Sequence, residues 1–590
     1  MYPHPLDPKP HGSVMTIREQ YLRSFSSEIR NKPNWTEKIE DRELFTKWLR
    51  EAHQQQDRMG EVVTWNAEDI NFVYEELTER YKAYVEKLRA EGCPIEPDID
   101  SVWRADGLID EDLRKKLIDA VATLENVPED EKDWHPGSNY QVLDLVHPSL
   151  WPVVYNRSVD LTYGGPIAPP QESEEGADEY EDDQSDDGGY GNYDDSDSED
   201  SDKDAPRKVD VNGYSSKFCW LPSEFEVDTD GKTVIKSYIN NLSAPGQKRR
   251  FYPIIEQIFS KFVPLFNHVL ADMDTRRHHK HRCGDPWIWD GDYGSEEILY
   301  LDDQKYQEQW NELAEQFRTG KELTVDFKAH AKGGKEAHYE GINIRDIGDI
   351  GSMWSPPVIE DKSRLEGKTV KVIVKMANIE LTPEKPTYKG GSWHVEAMKN
   401  ERIIATGIYY YAQENITDSS LSFRRNVHLS GMDTQLHNSN WTFVYGMSSG
   451  WGESIQDLGA IQTKDNRAIA FPNIYQHCVS GFRLADPTKP GYRKILVFFL
   501  CDTDESFDIP TTRTVAPQQD AATAEYQQVL REGPMGQLPE EVFGLVLKNL
   551  PPPISLEEAK KYRQELMKER SVFTRSSKKV QGRSYSLCEH

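Results

Sequence analysis

The stretch GGSWHVEAM, residues 390–398, places His394 and Glu396 two positions apart behind a pair of glycines. On an extended strand, residues i and i+2 project from one face, so the imidazole and the carboxylate emerge side by side. Downstream, His477 lies on a second extended segment, and Arg493 opens a strongly hydrophobic run. Two histidines and one carboxylate leave positions open on Fe(II) for a bidentate oxo-acid and O2, and an arginine suits the remote carboxylate of that acid. The sequence therefore predicts a metal triad with an anion clamp.

A His-x-acid pair is weak evidence alone. With 101 acidic residues among 590, roughly two or three of the 16 histidines acquire such a partner by chance. The chain contains a second pair, His338 and Glu340 in AHYEGINI. This pair lacks the downstream context, and we expect it to be a surface pair.

Two residues compete for the carboxylate of the oxo-acid. Arg493 opens the hydrophobic strand, whereas Arg483 precedes the loop LADPTKPG. Arg493 is the favoured candidate because it opens the strand, whereas its rival does not. Tyr388 lies six residues before the first histidine and is a candidate hydrogen-bond donor to the same acid.

Three further residues are candidates for the substrate pocket. Tyr409 and Tyr411 alternate with a third tyrosine on the next predicted strand, so one face of that strand is expected to line the pocket or to fill the core. Arg424 is expected to contact either an anionic substrate or a neighbouring acid.

The net charge of −31 is concentrated in one segment. Residues 172–204 contain 17 acidic residues and one lysine, which leaves −15 for the rest of the chain. Such a run cannot bury apolar area and is predicted to be a disordered insertion, either as a solvated loop or as a binding segment for a basic partner. Nothing in this charge balance favours a nucleic acid as partner.

The N-terminal sequence MYPHPLDPKPHGSVM lacks the apolar region of a signal peptide, and no run approaches the length of a membrane span. The six cysteines form no CxxC pair, which favours a reducing compartment. These features predict a cytoplasmic or nuclear protein that is not secreted and has no membrane partner.

The organisation of the chain changes from helical to β-rich near residue 320. Apolar residues recur at helical spacing after Asn66, after Asp110 and within 251–273. Short β-branched and aromatic runs follow, broken by Gly, Pro and Asn, and they predict a sandwich or barrel. The predicted regions are 1–163 (helical), 164–210 (acidic insertion), 211–320 (helical and mixed), 321–515 (β-rich core) and 516–590 (helical tail).

The segments HVE, AIAF, HCV and GYRKILVFF together resemble the 2-oxoglutarate-dependent Fe(II) oxygenases, in particular the prolyl-hydroxylase-like branch. The resemblance covers roughly residues 370–502. It implies an α+β protein with a double-stranded β-helix (jelly-roll, cupin-like) core wrapped by N-terminal and C-terminal helices. It also implies Fe(II) as metal and 2-oxoglutarate as cosubstrate, held by the residues named above. The reaction implied is oxidation of a small-molecule or protein substrate with release of succinate and CO2.

Three features depart from that family. The acidic ligand is Glu396 where most members have Asp, the spacing from His477 to Arg493 is longer than usual, and Ile495 replaces a common Ser or Thr. Two alternatives therefore remain open. One is a catalytically silent jelly-roll scaffold whose acidic loop binds a basic partner, and the other is a cupin-type metal dioxygenase without 2-oxoglutarate.

Nearly the whole chain also resembles a fungal family of unknown function. The segments that carry this resemblance are VLDLVHPSLWP, VIVKMANIELTPEKPTYKGGSWHVE, TKPGYRKIL and the terminal LCEH. It supplies no known reaction.

Overall fold

The computed structural model describes most of the chain as helices packed on antiparallel sheets. The described residues are 2–7, 15–59, 67–162, 164–170, 213–273, 303–323, 353–427, 455–504, 507–548 and 553–581. The acidic run at 172–204 and the pair His338 and Glu340 lie outside them.

Eleven α-helices occur in the described residues. They are α1 (Ile17–Arg30), α2 (Trp35–Lys38), α3 (Arg42–Met59), α4 (Ala67–Glu75), α5 (Lys82–Ala90), α6 (Glu111–Glu125), α7 (Pro245–Asp272), α8 (Asp303–Arg318), α9 (Asp520–Glu532), α10 (Glu540–Lys548) and α11 (Leu556–Gln581). A π-helical turn, Glu76–Tyr81, joins α4 to α5, and short 3-10 turns occupy Glu129–Glu131, Asp361–Ser363 and Pro534–Gln537. The helices predicted around residues 67–90, 111–125 and 251–273 are confirmed. None of the described helices is long and apolar enough to cross a membrane.

The β-structure contains eighteen described strands. They are β1 (Glu96–Pro97), β2 (Trp103–Asp106), β3 (Val142–Val146), β4 (Val153–Val154), β5 (Val159–Asp160), β6 (Gly165–Pro166), β7 (Phe218–Cys219), β8 (Ser223–Val227), β9 (Thr233–Ile235), β10 (Lys368–Leu381), β11 (Thr387–Tyr388), β12 (Ile403–Glu414), β13 (Ser419–Asn426), β14 (Ile455–Thr463), β15 (Arg467–Pro472), β16 (Gln476–Val479), β17 (Phe482–Arg483) and β18 (Gly491–Cys501).

These strands form one large sheet and several small ones. The main sheet has the order β1-β2-β15-β12-β18-β10-β8-β9, with β3 also paired to β10. A second sheet has the order β14-β13-β16, and β11 pairs with β17. The pairs among the named strands are antiparallel, and in the described part of the chain they leave the sheets open rather than closed into a barrel. The fold is thus mixed α/β with antiparallel sheets.

Each face of the main sheet packs against a different layer. Side chains alternate along a strand, so Tyr409 and Phe498 join α7 in one apolar cluster, on what we call the helix face. Ile408 and Val497 join the three-stranded sheet in another cluster, on the inner face. Both faces are therefore buried, which explains the nearly continuous apolar sequence of β12 and β18.

Candidate metal centre

The predicted ligands come from two neighbouring segments. His477 lies on β16, where it pairs with Phe423 of β13. His394 forms an isolated antiparallel bridge with His477, with N–H···O distances of 3.1 and 2.9 Å in the two directions. Gly390 makes this approach possible, because it has a φ of +97° and a Cβ there would lie 2.8 Å from the carbonyl oxygen of Val479.

The three side chains converge on one point. The Nε2 atoms of His394 and His477 lie 3.6 and 3.3 Å from Oε1 of Glu396, and the donor atoms of all three lie within 4.8 Å of one another. Cis ligands about 2.1 Å from an octahedral cation lie roughly 3 Å apart, so a small inward shift would place all three on one metal ion.

Backbone contacts hold the first two ligands in position. Nδ1 of His394 lies 2.7 Å from the carbonyl of Ser392. This contact favours the tautomer whose Nε2 lone pair faces the carboxylate. Asn473, which follows β15, is fully buried. Its side chain accepts from Glu396 N at 2.9 Å and donates to Glu396 O at 3.0 Å and to Ile403 O at 2.9 Å.

The charges of the triad suit a cation. Burial alone would raise the pKa of Glu396, but its contacts with the two histidines hold that pKa well below its usual range. Burial and the charge of His394 lower the pKa of His477. Burial opposes protonation of His394, yet the neighbouring carboxylate raises its pKa. An ionised carboxylate and a neutral histidine are the forms in which these side chains bind metals.

The triad opens to solvent on one side. The side chain of His394 is 42% exposed, whereas those of Glu396 and His477 are 13% and 4% exposed. The ring of His477 packs edge-on against Phe471 of the inner face, with ring centroids 4.8 Å apart. The buried side of the triad therefore faces the space between the two sheets.

Arg493 lies on the inner face of β18 without an acidic partner. Its side chain is buried and donates to Oγ of Ser419 at 2.9 Å. Its guanidinium also lies over the rings of Phe482 (4.6 Å) and Tyr410 (5.7 Å). Among the described residues no carboxylate lies within 4 Å of it, and its buried Nε has no hydrogen-bond partner. Burial lowers its pKa, although an arginine remains charged in proteins.

Arg493 and Arg483, the other candidate for the oxo-acid carboxylate, lie in different environments. Arg483 on β17 is exposed, while its neighbour Phe482 turns inward. Tyr388 on β11 packs against Phe482 with ring centroids 5.3 Å apart. Burial raises the pKa of Tyr388, and the charge of Arg493 opposes that rise. Tyr388 and Arg493 are therefore near one another, as their predicted roles require.

Of the two roles expected for Tyr409 and Tyr411, the structure shows core filling. Tyr409 and Tyr411 point to the helix face, where they join the apolar cluster of α7. Tyr410 instead belongs to the inner cluster, near Arg493. The ten residues Ile403–Ala412 are all buried, so alternation in the sequence could not show which face of β12 carries the site.

Arg424 lies beside the triad rather than between the sheets. Phe423 points into the inner cluster, so Arg424 projects from the opposite face of β13. Its guanidinium lies 4.5 Å from the ring centre of Trp393, and its Nε donates to Gln476 at 2.9 Å. It is half-buried next to the segment that carries His394.

A second group with metal-binding residue types was missed by the sequence analysis. His135, Asp144 and His147 also have donor atoms within 4.8 Å of one another. In this His135 cluster several atoms already have partners, whereas the buried Oδ1 of Asp144 has none. His135 Nδ1 lies 2.8 Å from Asp144, Ser149 N donates to His147 Nδ1 at 3.2 Å, and the guanidinium of Arg563 lies 3.6 Å from Asp144. The resident guanidinium disfavours a metal ion there, and so does the Ser149 contact, because a neutral histidine that accepts at Nδ1 carries its proton on Nε2.

The family of the chain follows from comparison with family models. Residues 67–526 match the model described as "Protein of unknown function (DUF4246)". Residues 1–51 match the model "Domain of unknown function DUF4246, N-terminal". The chain belongs to the DUF4246 family. The expectation of a family of unknown function is thus confirmed, and no curated protein matches the chain.

Solved structures give only slight likenesses to this DUF4246 protein. One is "Crystal structure of IDO from Bacillus thuringiensis", with 11% identity and a TM-score of 0.16, covering 25% of this chain and 51% of that one. Another is "Selenomethionine labeled Fe(II)/(alpha)ketoglutarate-dependent dioxygenase TqaL", with 12% identity and a TM-score of 0.16, covering 37% and 64%. Both alignments span less than two thirds of the solved chain, and TM-scores this low do not bear on the fold.

Proposed function

We propose that this protein is a non-haem Fe(II) and 2-oxoglutarate-dependent dioxygenase. In this proposal the main sheet and the β14-β13-β16 sheet are the two halves of a double-stranded β-helix, and residues 321–515 are its oxygenase core. His394, Glu396 and His477 hold the metal, and Arg493 holds the remote carboxylate of 2-oxoglutarate. With both bound, the site would supply the chemistry of that class, in which 2-oxoglutarate and O2 yield succinate and CO2 and a substrate C–H bond is hydroxylated.

The observation that carries the proposal is the unpaired charge of Arg493. Burying a guanidinium without a carboxylate costs several kcal/mol, and among the described residues none lies within reach of this one. A ligand carboxylate would supply the missing partner and could also accept from the free Nε. A metal triad alone fits many sites, whereas a triad and an unpaired buried arginine facing one space fit an oxo-acid.

The protein's own groups would bind and orient the reactants. Glu396 and the two histidines supply one negative charge and two neutral nitrogens, which suits a divalent cation. Phe482 and Tyr410 cover the guanidinium and exclude water, so its ion pair with a ligand would be strengthened. In this proposal Tyr388, which packs on Phe482 near the guanidinium, would donate its phenolic proton to the same ligand.

A cupin-type metal dioxygenase without 2-oxoglutarate gives no role to Arg493. In that case turnover would not require 2-oxoglutarate in any variant, and replacement of Arg493 would alter stability alone. The same variant therefore separates the two enzyme proposals.

The test is succinate release from 2-oxoglutarate with Fe(II), measured with the full chain. We expect His394→Ala to abolish turnover and Mn(II) binding, and His338→Ala to leave both intact. Arg493→Met should raise the KM for 2-oxoglutarate about 10- to 100-fold, the cost of a lost charge-assisted hydrogen bond. Arg483→Met is the matched control and should leave that KM unchanged.

Two results would overturn these assignments. Loss of metal binding in His338→Ala but not in His394→Ala would place the metal elsewhere. If the KM for 2-oxoglutarate is unchanged in Arg493→Met but raised in Arg483→Met, Arg483 binds the remote carboxylate instead.

A further inference from the structure

Lys375 is a second unpaired cation on the inner face. It lies on β10 opposite Val497 of β18, and directly opposed residues of an antiparallel pair share a face. Val497 belongs to the inner cluster, so the Lys375 side chain also points between the sheets. The residue is half-buried, and no described residue forms an ion pair or a hydrogen bond with its ammonium group.

Neighbouring half-buried lysines all have partners. Lys368 donates to the carbonyls of residues 361 and 362, and Lys371 donates to the carbonyl of Phe507 at 3.1 Å. Lys494 on the adjacent strand pairs with Glu125 at 2.8 Å. Lys375 thus differs from the other half-buried lysines of these strands, each of which has a partner. Exceptions of this kind concentrate at functional sites.

Lys375 borders the same apolar cluster as the candidate triad. Val497, which lies opposite the lysine, and Phe471, which packs against the ring of His477, both belong to that cluster. Asp144 faces Ala377, two residues along the same face of β10. The wall of the space beside the triad is therefore polar on this side.

The carboxylates on this wall are contacted by groups other than Lys375. Asp133 forms a two-pronged ion pair with Arg563 at 2.6 and 2.9 Å. Asp144 is contacted by His135 and lies 3.6 Å from the same guanidinium. These two carboxylates are thus engaged by groups other than Lys375, whose charge remains for a ligand.

We propose that Lys375 binds an anionic group, carboxylate or phosphate, of the primary substrate and so orients that substrate toward the triad. The orientation of a substrate for oxidation rests on the proposed function. Anion binding by Lys375 does not depend on it. Arg493 lies opposite Ile379, four residues along β10, which is roughly 13 Å from Lys375 along the strand. The two cations therefore serve different ligands, the first the cosubstrate and the second the substrate.

The first test needs no turnover and uses pyridoxal 5′-phosphate as the probe. Its aldehyde condenses with a lysine amine with loss of water, and borohydride reduces the imine to a stable amine. Peptide mass spectrometry of the full chain should show saturable labelling of Lys375, reduced at least tenfold by phenyl phosphate or citrate. Lys371→Met is the matched control on the same face of β10 and should keep this labelling, and Lys375→Met should lose it. Labelling of Lys375 that no competing anion reduces would overturn the subsite.

The second test identifies the anion. Pools of carboxylates, phosphate esters and uncharged compounds are screened for stimulation of succinate release. We expect one anionic pool to stimulate, with at least a tenfold loss in Lys375→Met and an unchanged KM for 2-oxoglutarate. Stimulation confined to uncharged compounds, or a raised KM for 2-oxoglutarate in Lys375→Met, would overturn the assignment to the substrate. If the wild type releases no succinate but Lys375 is labelled as expected, the proposed oxygenase fails and the anion subsite stands.

Discussion

At the scale of single residues, Asn473 is the side chain that fixes Glu396. It bonds both the backbone N–H and the carbonyl of Glu396 and also a carbonyl across the turn. In Asn473→Asp the carboxylate can still accept from the N–H but repels both carbonyls. Because groups behind metal ligands typically contribute 10–100-fold to affinity, we expect Mn(II) affinity to fall about 10- to 100-fold, measured by calorimetric titration.

Asn400 provides a matched control for that variant. It is also buried and bonds both the N–H and the carbonyl of Ser215, at 2.7 and 2.9 Å, but it is not a neighbour of the triad in this hydrogen-bond network. Asn400→Asp should lower the thermal stability to a similar degree while Mn(II) affinity stays within about twofold. If both variants lose metal affinity alike, Asn473 acts only through general stability.

What the sequence could predict at this scale depends on local geometry. The pair His394 and Glu396 was visible because i, i+2 neighbours share a face whatever the rest of the fold does. The sequence does not show that Arg493 and Lys375 lack acidic partners among the described residues. That depends on which residues the surrounding strands bring near them. Whether Tyr409 or Tyr410 points to the inner face likewise depends on which layer covers each face of the main sheet.

At the scale of elements, the packing of α7 on β12 determines which face of the main sheet is free for the site. A Cβ on Gly407 of β12 would lie 2.8 Å from ring atoms of both Phe262 and Phe266 of α7. Gly407→Ala should therefore separate helix and strand and cost about 1–3 kcal/mol, measured by urea unfolding. Gly165→Ala, where a Cβ meets nothing within 4 Å, should be close to neutral. Equal effects would mean that α7 accommodates the methyl group.

The long elements were predictable and the short ones were not. α7, β10, β12 and β18 are each more than ten residues long, and a long apolar pattern or run is where pattern analysis is most reliable. Strands such as β1, β2 and β9 are two to four residues long and exist because a longer strand offers them an edge. No local sequence pattern around these short strands predicts such pairing.

At the scale of the whole molecule, His268 of α7 links the helices to the main sheet and should make stability depend on pH. Its Nδ1 lies 2.6 Å from the carbonyl of Pro264, its Nε2 lies 2.9 Å from the hydroxyl of Tyr84, and its ring packs 4.3 Å from that of Trp103. Burial lowers the pKa of His268 to about 4, although the Pro264 carbonyl opposes the change. The folded protein therefore holds this histidine neutral.

The sign of the effect follows from the unfolded chain, in which a histidine titrates near 6.5. The stabilising contribution of the neutral ring is complete above pH 6.5. It is lost as the pH falls toward 4, because only the unfolded state takes up the proton there. We expect a loss of about 3 kcal/mol over that range, and urea unfolding of metal-free protein should show a correspondingly weaker pH dependence in His268→Gln. Identical pH dependence in both proteins would show that the ring is protonated in the fold.

The main sheet also joins segments that lie far apart in the chain. β10 pairs with β3 and β8, and β15 pairs with β2. Together with β1 and β9, these make five strands of the sheet that come from before residue 240. α7 covers its helix face. A fragment of residues 321–515 would expose both that apolar face and the unpaired strand edges, which is a predicted route to aggregation. We expect this fragment to be insoluble or to unfold without a cooperative transition in circular dichroism, whereas the full chain unfolds cooperatively. A soluble fragment that unfolds cooperatively and binds Mn(II) would show that the triad does not need the strands and helices that precede residue 321.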